Sequence, residues 1–205
     1  MKTKILTFVT IAAIVLGIGN SALAADKKAS DDKEVSTVLT DVSRINKIEV
    51  YGNVELYVSS SDSDQVKVYN RYYSESALVQ SRNGVLRISS YSDKKLVVWI
   101  KAYDLRSITA YDNAEVRSFG KLSGIEMSIT LNDNAYAKLD LDGFSADITV
   151  NDRAKADLSG RVSECSLRSN YAATVNSTEF AAEHIDRSVE AFAAAGKSDD
   201  QFAGL

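Results

Sequence analysis

Three aspartates in the second half of the chain have the type and spacing that could do chemistry. Asp112, Asp133 and Asp152 follow strand-like stretches in the segments ITAYDNAEV, ITLNDNAYA and ITVNDRAKA. If these segments stack, carboxylates ~5 Å apart repel by about 3 kcal/mol at an effective dielectric of 20, and a calcium ion would relieve that repulsion. Alternatively, each carboxylate caps the amides of its own turn and points into water. We favour the structural role and predict no metal site.

The same carboxylates could act as acid and base on a polysaccharide. A catalytic site of that kind needs a cleft and a basic residue beside the carboxylates, and Arg153 is the one candidate next to the aspartates. His184 is the single histidine, and neither a Ser-His-Asp spacing nor a glycine-rich phosphate loop surrounds it. We expect His184 to be a partly buried polar residue, and we predict a protein without enzymatic activity or cofactor.

Tyrosines form the second group of candidate binding residues. Solvent-facing tyrosines on a flat sheet can stack on sugar rings or anchor a protein partner, although tyrosine is also simply a good strand residue. We therefore expect the partner to be a glycan or an envelope protein. The predicted binding residues are Asp112, Asp133, Asp152, Tyr72, Tyr73 and Tyr111.

A repeat of about twenty residues predicts the architecture that would position these side chains. The apolar residues before each turn align, with steps of 21, 19, 17 and 18, as Ala110, Leu131, Val150, Leu167 and Ile185. The tripeptides LSG at 122–124, LDG at 141–143 and LSG at 158–160 recur with a similar step. Short alternating strands with polar turns at this period indicate a right-handed parallel β-helix-like solenoid, in which equivalent residues stack. Ile108, Ile129 and Ile148 would then form an interior apolar ladder.

The first half predicts β-strands preceding the solenoid. From Ile45 the apolar residues alternate with polar ones, and turn-forming stretches such as SSSDSD and SRNG separate the runs. We expect an all-β protein with short irregular coils and one domain over 44–196, followed by a tail over 197–205. The alanine-rich stretch at 177–196 fits either a last coil or a helix, and we favour the coil.

The N-terminus predicts export. Lys2 and Lys4 precede an apolar run and a small-residue site ending at Ala24, which is the pattern of a cleaved secretory signal peptide over 1–24. Its loss takes the net charge from −4 to −6, which argues against nucleic acid as a partner. The polar stretch 25–43 predicts a flexible leader. We expect a periplasmic or secreted protein with no membrane span, whose single cysteine, Cys165, is buried and forms no intramolecular disulfide.

The order and spacing of these segments resemble those of the GIN domain, a family of exported Bacteroidetes proteins described as auto-transporter adhesin heads. INKIEVYGNVELYV, VKVYN, NGVLRIS and LVVWIKAYDLRSITAYDNAEV carry the resemblance, which spans residues 44–196. The turns YDNA, NDNA and NDRA are more acidic than the family's small, glycine-rich turns. The resemblance implies a β-solenoid-like fold, a role at the cell envelope and no catalytic residues. We thus expect a non-enzymatic, adhesion-like binding module; the alternatives are a carbohydrate-active enzyme and a purely structural envelope protein.

Overall fold

A computed structural model describes residues 36–39, 42, 44–69 and 77–190. Within these residues the chain forms twelve strands and no helix, so the all-β prediction is confirmed. The strands are β1 (Ser36–Leu39), β2 (Lys47–Gly52), β3 (Val54–Ser60), β4 (Gln65–Tyr69), β5 (Ala77–Arg82), β6 (Val85–Ser90), β7 (Leu96–Ala102), β8 (Ser107–Ala110), β9 (Glu115–Leu131), β10 (Tyr136–Val150), β11 (Lys155–Asn170) and β12 (Thr174–Glu190). The predicted signal peptide, most of the leader, the tail, Tyr72 and Tyr73 lie outside the described residues.

All twelve strands belong to one mixed sheet. The long strands β9, β10, β11 and β12 pair in that order, parallel to one another. The N-terminal strands do not simply precede this array: β2 lies between β6 and β8, and β3 lies between β7 and β9. Among the strands that the structure describes, antiparallel pairing is confined to β1 with β4, β4 with β7, and β5 with β6. Residues far apart in sequence therefore become neighbours on the sheet.

The long strands bend part-way along their length. The first residues of β9 pair with β3, whereas its last four residues pair with β8. Register shifts mark the bend, between Lys138 and Asp140 in β10 and between Asp157 and Ser159 in β11. Gly160 follows the second shift with φ +97°, and a Cβ there would lie 2.1 Å from the carbonyl oxygen of Leu141. Only glycine fits this close approach of two backbones.

The core consists of the inward-facing side chains of successive strands. Ile129 pairs with both Ile108 and Ile148, and all three are at most 1% exposed, so the predicted ladder is present. The alternation of buried and half-buried residues in β2, β3 and β7 continues this core through the N-terminal strands. Cys165 is also buried, as the sequence predicts. Burial of these apolar side chains is the main favourable contribution to folding.

The predicted alignment of the last repeats is wrong by two residues. Ala110, Leu131 and Val150 align as expected, but Val150 pairs with Ser169 instead of Leu167. Leu167 pairs with Ile148, and Ile185 pairs with Cys165. The second LSG is displaced likewise, because Gly143 pairs with Val162 and not with Gly160. A shift of two residues leaves each side chain on its own face of the strand, so the apolar pattern cannot detect it.

The last described segment is a strand over its whole length. β12 runs to Glu190, which makes the helix alternative wrong for residues 177–190. Among the described residues β12 pairs with β11 alone, and most of its side chains are exposed. His184 lies in this last strand but is exposed, not partly buried, because no further strand covers it on the other side.

Candidate functional site

The three predicted aspartates occupy equivalent turn positions, and we call them the aspartate column. Their φ angles are 58°, 59° and 54° for Asp112, Asp133 and Asp152. Each turn is closed by an amide-to-carbonyl hydrogen bond across it, as from Ala114 N to Tyr111 O at 3.1 Å. Aspartate and asparagine tolerate this left-handed conformation better than other non-glycine residues. The backbone therefore explains why aspartate recurs at this place.

The carboxylates of the aspartate column bind backbone amides of the neighbouring segment. The amide of Asp112 donates to Asp133 Oδ2 at 3.0 Å, and the amide of Asp133 donates to Asp152 Oδ2 at 3.0 Å. Asp112 Oδ2 in turn accepts from the Gly52 amide at 3.1 Å. The structural role is thus different from the one predicted, since the carboxylate caps an adjacent segment and not its own turn. These bonds tie successive parallel segments together at their corner.

The contacts of the column can be compared with those that a calcium site or an acid–base pair would need. In the described part of the chain, no group of three or more His, Cys, Asp or Glu side chains is arranged to hold a metal ion. Arg153 donates from Nε to Asn134 Oδ1 at 3.0 Å and not to an aspartate of the column. A role of the column in ligand binding stays a prediction.

Tyr111 adjoins the aspartate column. Its ring stacks on that of Tyr51, with centroids 4.6 Å apart and planes 2° from parallel. The hydroxyl of Tyr91 donates to Asp112 Oδ2 at 3.3 Å, and the Tyr91 side chain is 74% exposed. Burial, followed by the charge of Glu49, raises the pKa of Tyr51. The structure therefore places Tyr91 against Asp112, whereas the ring of Tyr111 packs on Tyr51.

Three aromatic side chains that the sequence analysis did not select form a second surface, the aromatic ledge. It consists of Tyr57, Trp99 and Phe119, which come from β3, β7 and β9. Tyr57 and Trp99 stack with centroids 4.5 Å apart, and Phe119 meets Trp99 edge-on at 5.4 Å. Phe119 is 65% exposed. Strand alternation could have indicated the outward position of Trp99, because Val98 and Ile100 are strongly apolar neighbours that face inward.

Charged side chains surround the aromatic ledge. The hydroxyl of Tyr57 donates to Glu55 Oε1 at 2.8 Å, and this bond raises the pKa of Tyr57. Arg117, which pairs with Tyr57 across the sheet, reaches Glu115 Oε2 at 3.1 Å and Glu55 Oε1 at 3.4 Å. Its guanidinium carbon also lies 5.3 Å from the centre of the Tyr136 ring. Aromatic faces and hydrogen-bonding groups thus alternate over a short distance on one sheet surface.

A depression of about 570 Å³ adjoins the ledge on the side of β10 and β11, and we call it the basic depression. Tyr136 forms part of its wall, and its hydroxyl donates to Asp157 Oδ2 at 2.6 Å. Burial, followed by this hydrogen bond to Asp157, raises the pKa of Tyr136. The depression is lined by Glu115, Arg117, Asn134, Tyr136, Arg153 and Lys155.

Comparison with known proteins identifies the family. The family model described as "Putative auto-transporter adhesin, head GIN domain" matches residues 44–196. The chain belongs to the GIN-domain family. A comparison of this GIN-domain protein with proteins of curated function gave no significant match. The described residues include no helix with the length and apolar character needed to cross a membrane.

Solved structures support the fold of this GIN-domain protein. A putative adhesin from Bacteroides fragilis is 15% identical, with a TM-score of 0.66, over 77% of this chain and 76% of that one. A putative adhesin from Parabacteroides merdae is 15% identical, with a TM-score of 0.64, over 76% and 77%. A putative lipid binding protein from Parabacteroides distasonis is 10% identical, with a TM-score of 0.61, over 76% and 78%. At these identities the similarity establishes a common fold.

Proposed function

We propose that this GIN-domain protein is an exported, non-enzymatic binding module of the bacterial cell envelope that recognises a glycan on its outer sheet surface. Membership of a family described as adhesin heads supports a binding role. The signal-peptide pattern at residues 1–24 supports export to the periplasm or the cell surface. We further propose that the parallel segments from β8 to β12 are coils of a right-handed β-helix-like solenoid, which would present flat faces to a ligand.

The observation that carries the proposal is the aromatic ledge. The exposed Phe119 ring and the outer edges of the stacked Tyr57–Trp99 pair can pack against the C–H faces of sugar rings, while neighbouring charged groups bind the hydroxyls. Glu55 and Arg117 stand directly beside Tyr57 and provide such an acceptor and donor. The cores of protein–protein interfaces, in contrast, are depleted of charged residues. Glu55 and Arg117 lie directly beside the Tyr57 ring and not at a separate rim, and this placement favours a glycan over a protein partner.

The predicted corner of Asp112, Asp133, Asp152 and Tyr111 is kept as a secondary contact surface in this proposal. One oxygen of each column carboxylate already accepts a backbone amide, so the column holds adjacent segments together in addition to any contact with a ligand. The same engagement disfavours the alternative of a carbohydrate-active enzyme, because an acid–base pair must be free to exchange protons with its substrate. A purely structural envelope protein would have no need of an exposed aromatic surface.

The test is a glycan array followed by affinity measurement on Trp99→Ala. We expect the variant to lose affinity by about thirtyfold, which corresponds to the ~2 kcal/mol typical of an aromatic anchor. Tyr103→Ala is the matched control, because Tyr103 is 71% exposed and lies outside the ledge. Urea unfolding of both variants would show that Trp99→Ala is still folded. Equal glycan affinity of wild type and folded Trp99→Ala, or an array without any binder, would refute the proposal.

A further inference from the structure

Resting on the proposed glycan-binding function, we propose that the ligand is an acidic saccharide whose carboxylate or phosphate is bound by Arg153 and Lys155 in the basic depression. The aromatic ledge would hold a sugar ring, and the two cations would select the charged one. The chemistry common to uronic acids and sugar phosphates is an oxyanion with two or more acceptor oxygens, which is what these donors fit.

The first argument is that these two cations are not compensated. Within the described residues, neither Arg153 nor Lys155 forms an ion pair, and Arg153 donates only to the neutral amide of Asn134. The third cation of the depression, Arg117, is in contrast held by Glu115 and Glu55. The chain as a whole carries a net charge of −4. Two unpaired cations in one depression of an acidic protein favour an anionic ligand.

The second argument is the position of the depression relative to the ledge. Lys155 pairs with Tyr136, Tyr136 with Glu115, and Glu115 with Glu55, each on the adjacent strand. Three strand spacings of about 4.8 Å place Lys155 about 15 Å from Glu55, which lies beside the aromatic ledge. An oligosaccharide lying across the strands would therefore pass from the ledge over Arg117 and Tyr136 to Lys155.

The third argument is that the intervening groups suit a polar chain. Tyr136 offers a ring face beside Arg117, with the guanidinium carbon 5.3 Å from the ring centre. Glu115 and Asp157 provide acceptors for sugar hydroxyls on either side of Tyr136. A simple inorganic anion would use the two cations but none of these groups. The arrangement thus indicates a charged sugar and not a small anion.

The experiment compares each acidic probe with a neutral counterpart in which the anionic group is esterified or removed. Trigalacturonate is measured against its fully methyl-esterified form, and a phosphorylated mannose oligosaccharide is measured against the same oligosaccharide after dephosphorylation. We expect wild-type protein to bind at least one acidic probe about tenfold more tightly than its neutral partner, with a preference that falls as salt is added. The pair that shows the preference identifies whether carboxylate or phosphate is the natural group.

The variant R153Q/K155Q tests the residues. It should lose the preference for the acidic probe and bind the neutral probe as wild type does. R82Q/R161Q is the matched control, because it removes the same charge from two exposed positions elsewhere and should keep the preference. Equal binding of acidic and neutral probes by wild type, or a preference that survives in R153Q/K155Q, would overturn this inference while leaving the glycan proposal standing. Absence of binding to any probe or array glycan would overturn both.

Discussion

Each aspartate of the column contributes to stability in two ways, through a carboxylate that accepts a backbone amide and through its tolerance of a left-handed backbone. Substitution of Asp133 separates these two contributions. Asp133 has φ 59°, and its Oδ2 accepts the amide of Asp112 at 3.0 Å. Alanine loses the acceptor and carries the left-handed penalty of about 1 kcal/mol, and the lost charge-assisted hydrogen bond adds about 1–2 kcal/mol at an exposed turn. We therefore expect Asp133→Ala to lower the free energy of unfolding by about 2–3 kcal/mol. For a domain of this size this corresponds to a Tm lower by about 5–10 °C.

Asparagine and glycine at the same position distinguish the two causes. Asp133→Asn keeps a side-chain oxygen and tolerates the left-handed backbone, so its loss should stay within about 1 kcal/mol. Asp133→Gly removes the acceptor but relieves the backbone penalty, which places it between Asn and Ala. The expected order of stability is Asp, Asn, Gly and Ala.

Urea unfolding followed by circular dichroism and by the fluorescence of Trp99 measures this order. Asp142→Ala is the matched control, because Asp142 is an exposed aspartate whose partner is Lys121 at 3.2 Å. Its backbone is not in the left-handed region, and a surface ion pair contributes about 0–1 kcal/mol. If Ala at position 133 is as stable as Asn, or Gly is less stable than Ala, the assigned roles of the carboxylate and of the backbone are wrong.

Four further outcomes follow from the same contacts. Calcium should leave the Tm unchanged, because the column carboxylates already accept amide hydrogens; a calcium-dependent rise would contradict this assignment. Ile129→Ala should cost about 2–5 kcal/mol in urea unfolding, since the cavity forms inside a buried ladder. The hydrogen bond from Lys95 is the main cause that lowers the pKa of Glu115 in the folded protein. The Lys95–Glu115 pair therefore stabilises the protein above the unfolded-state pKa of Glu115, and this stabilisation is lost as the pH falls through the folded-state pKa. The Tm of Glu115→Gln should accordingly vary less over acidic pH than the Tm of wild type. Burial raises the pKa of the Cys165 thiol, so a thiol reagent at neutral pH should react slowly with native protein and rapidly in urea.

The sequence predicts the fold where the pattern is local and periodic. Alternation identifies the strands of both halves, and the aspartates identify the turns because their left-handed backbone restricts the residue type. The same periodicity cannot fix which residues pair. Leu167 and Val150 are both apolar, yet Leu167 pairs with Ile148. Both registers place Leu167 beside an inward-facing residue, because they differ by two residues and side chains alternate along a strand. The pairing of β10 with β11 keeps a single register along its whole length, and the close approach of Gly160 to Leu141 is part of that pairing.

The aromatic ledge lies beyond what the repeat can predict, because its rings come from outside one repeat. Tyr57 and Trp99 are neighbours only because β3 lies next to β7, and Phe119 joins them only because β3 also pairs with β9. In chain order, β3 precedes β7 by four strands, so the insertion of β3 is a non-local pairing that no sequence period encodes. A periodic array by itself repeats the same side chains at each level. Strand β3, which lies between β7 and β9, adds side chains that do not belong to the repeat, and the candidate binding surface lies beside this strand.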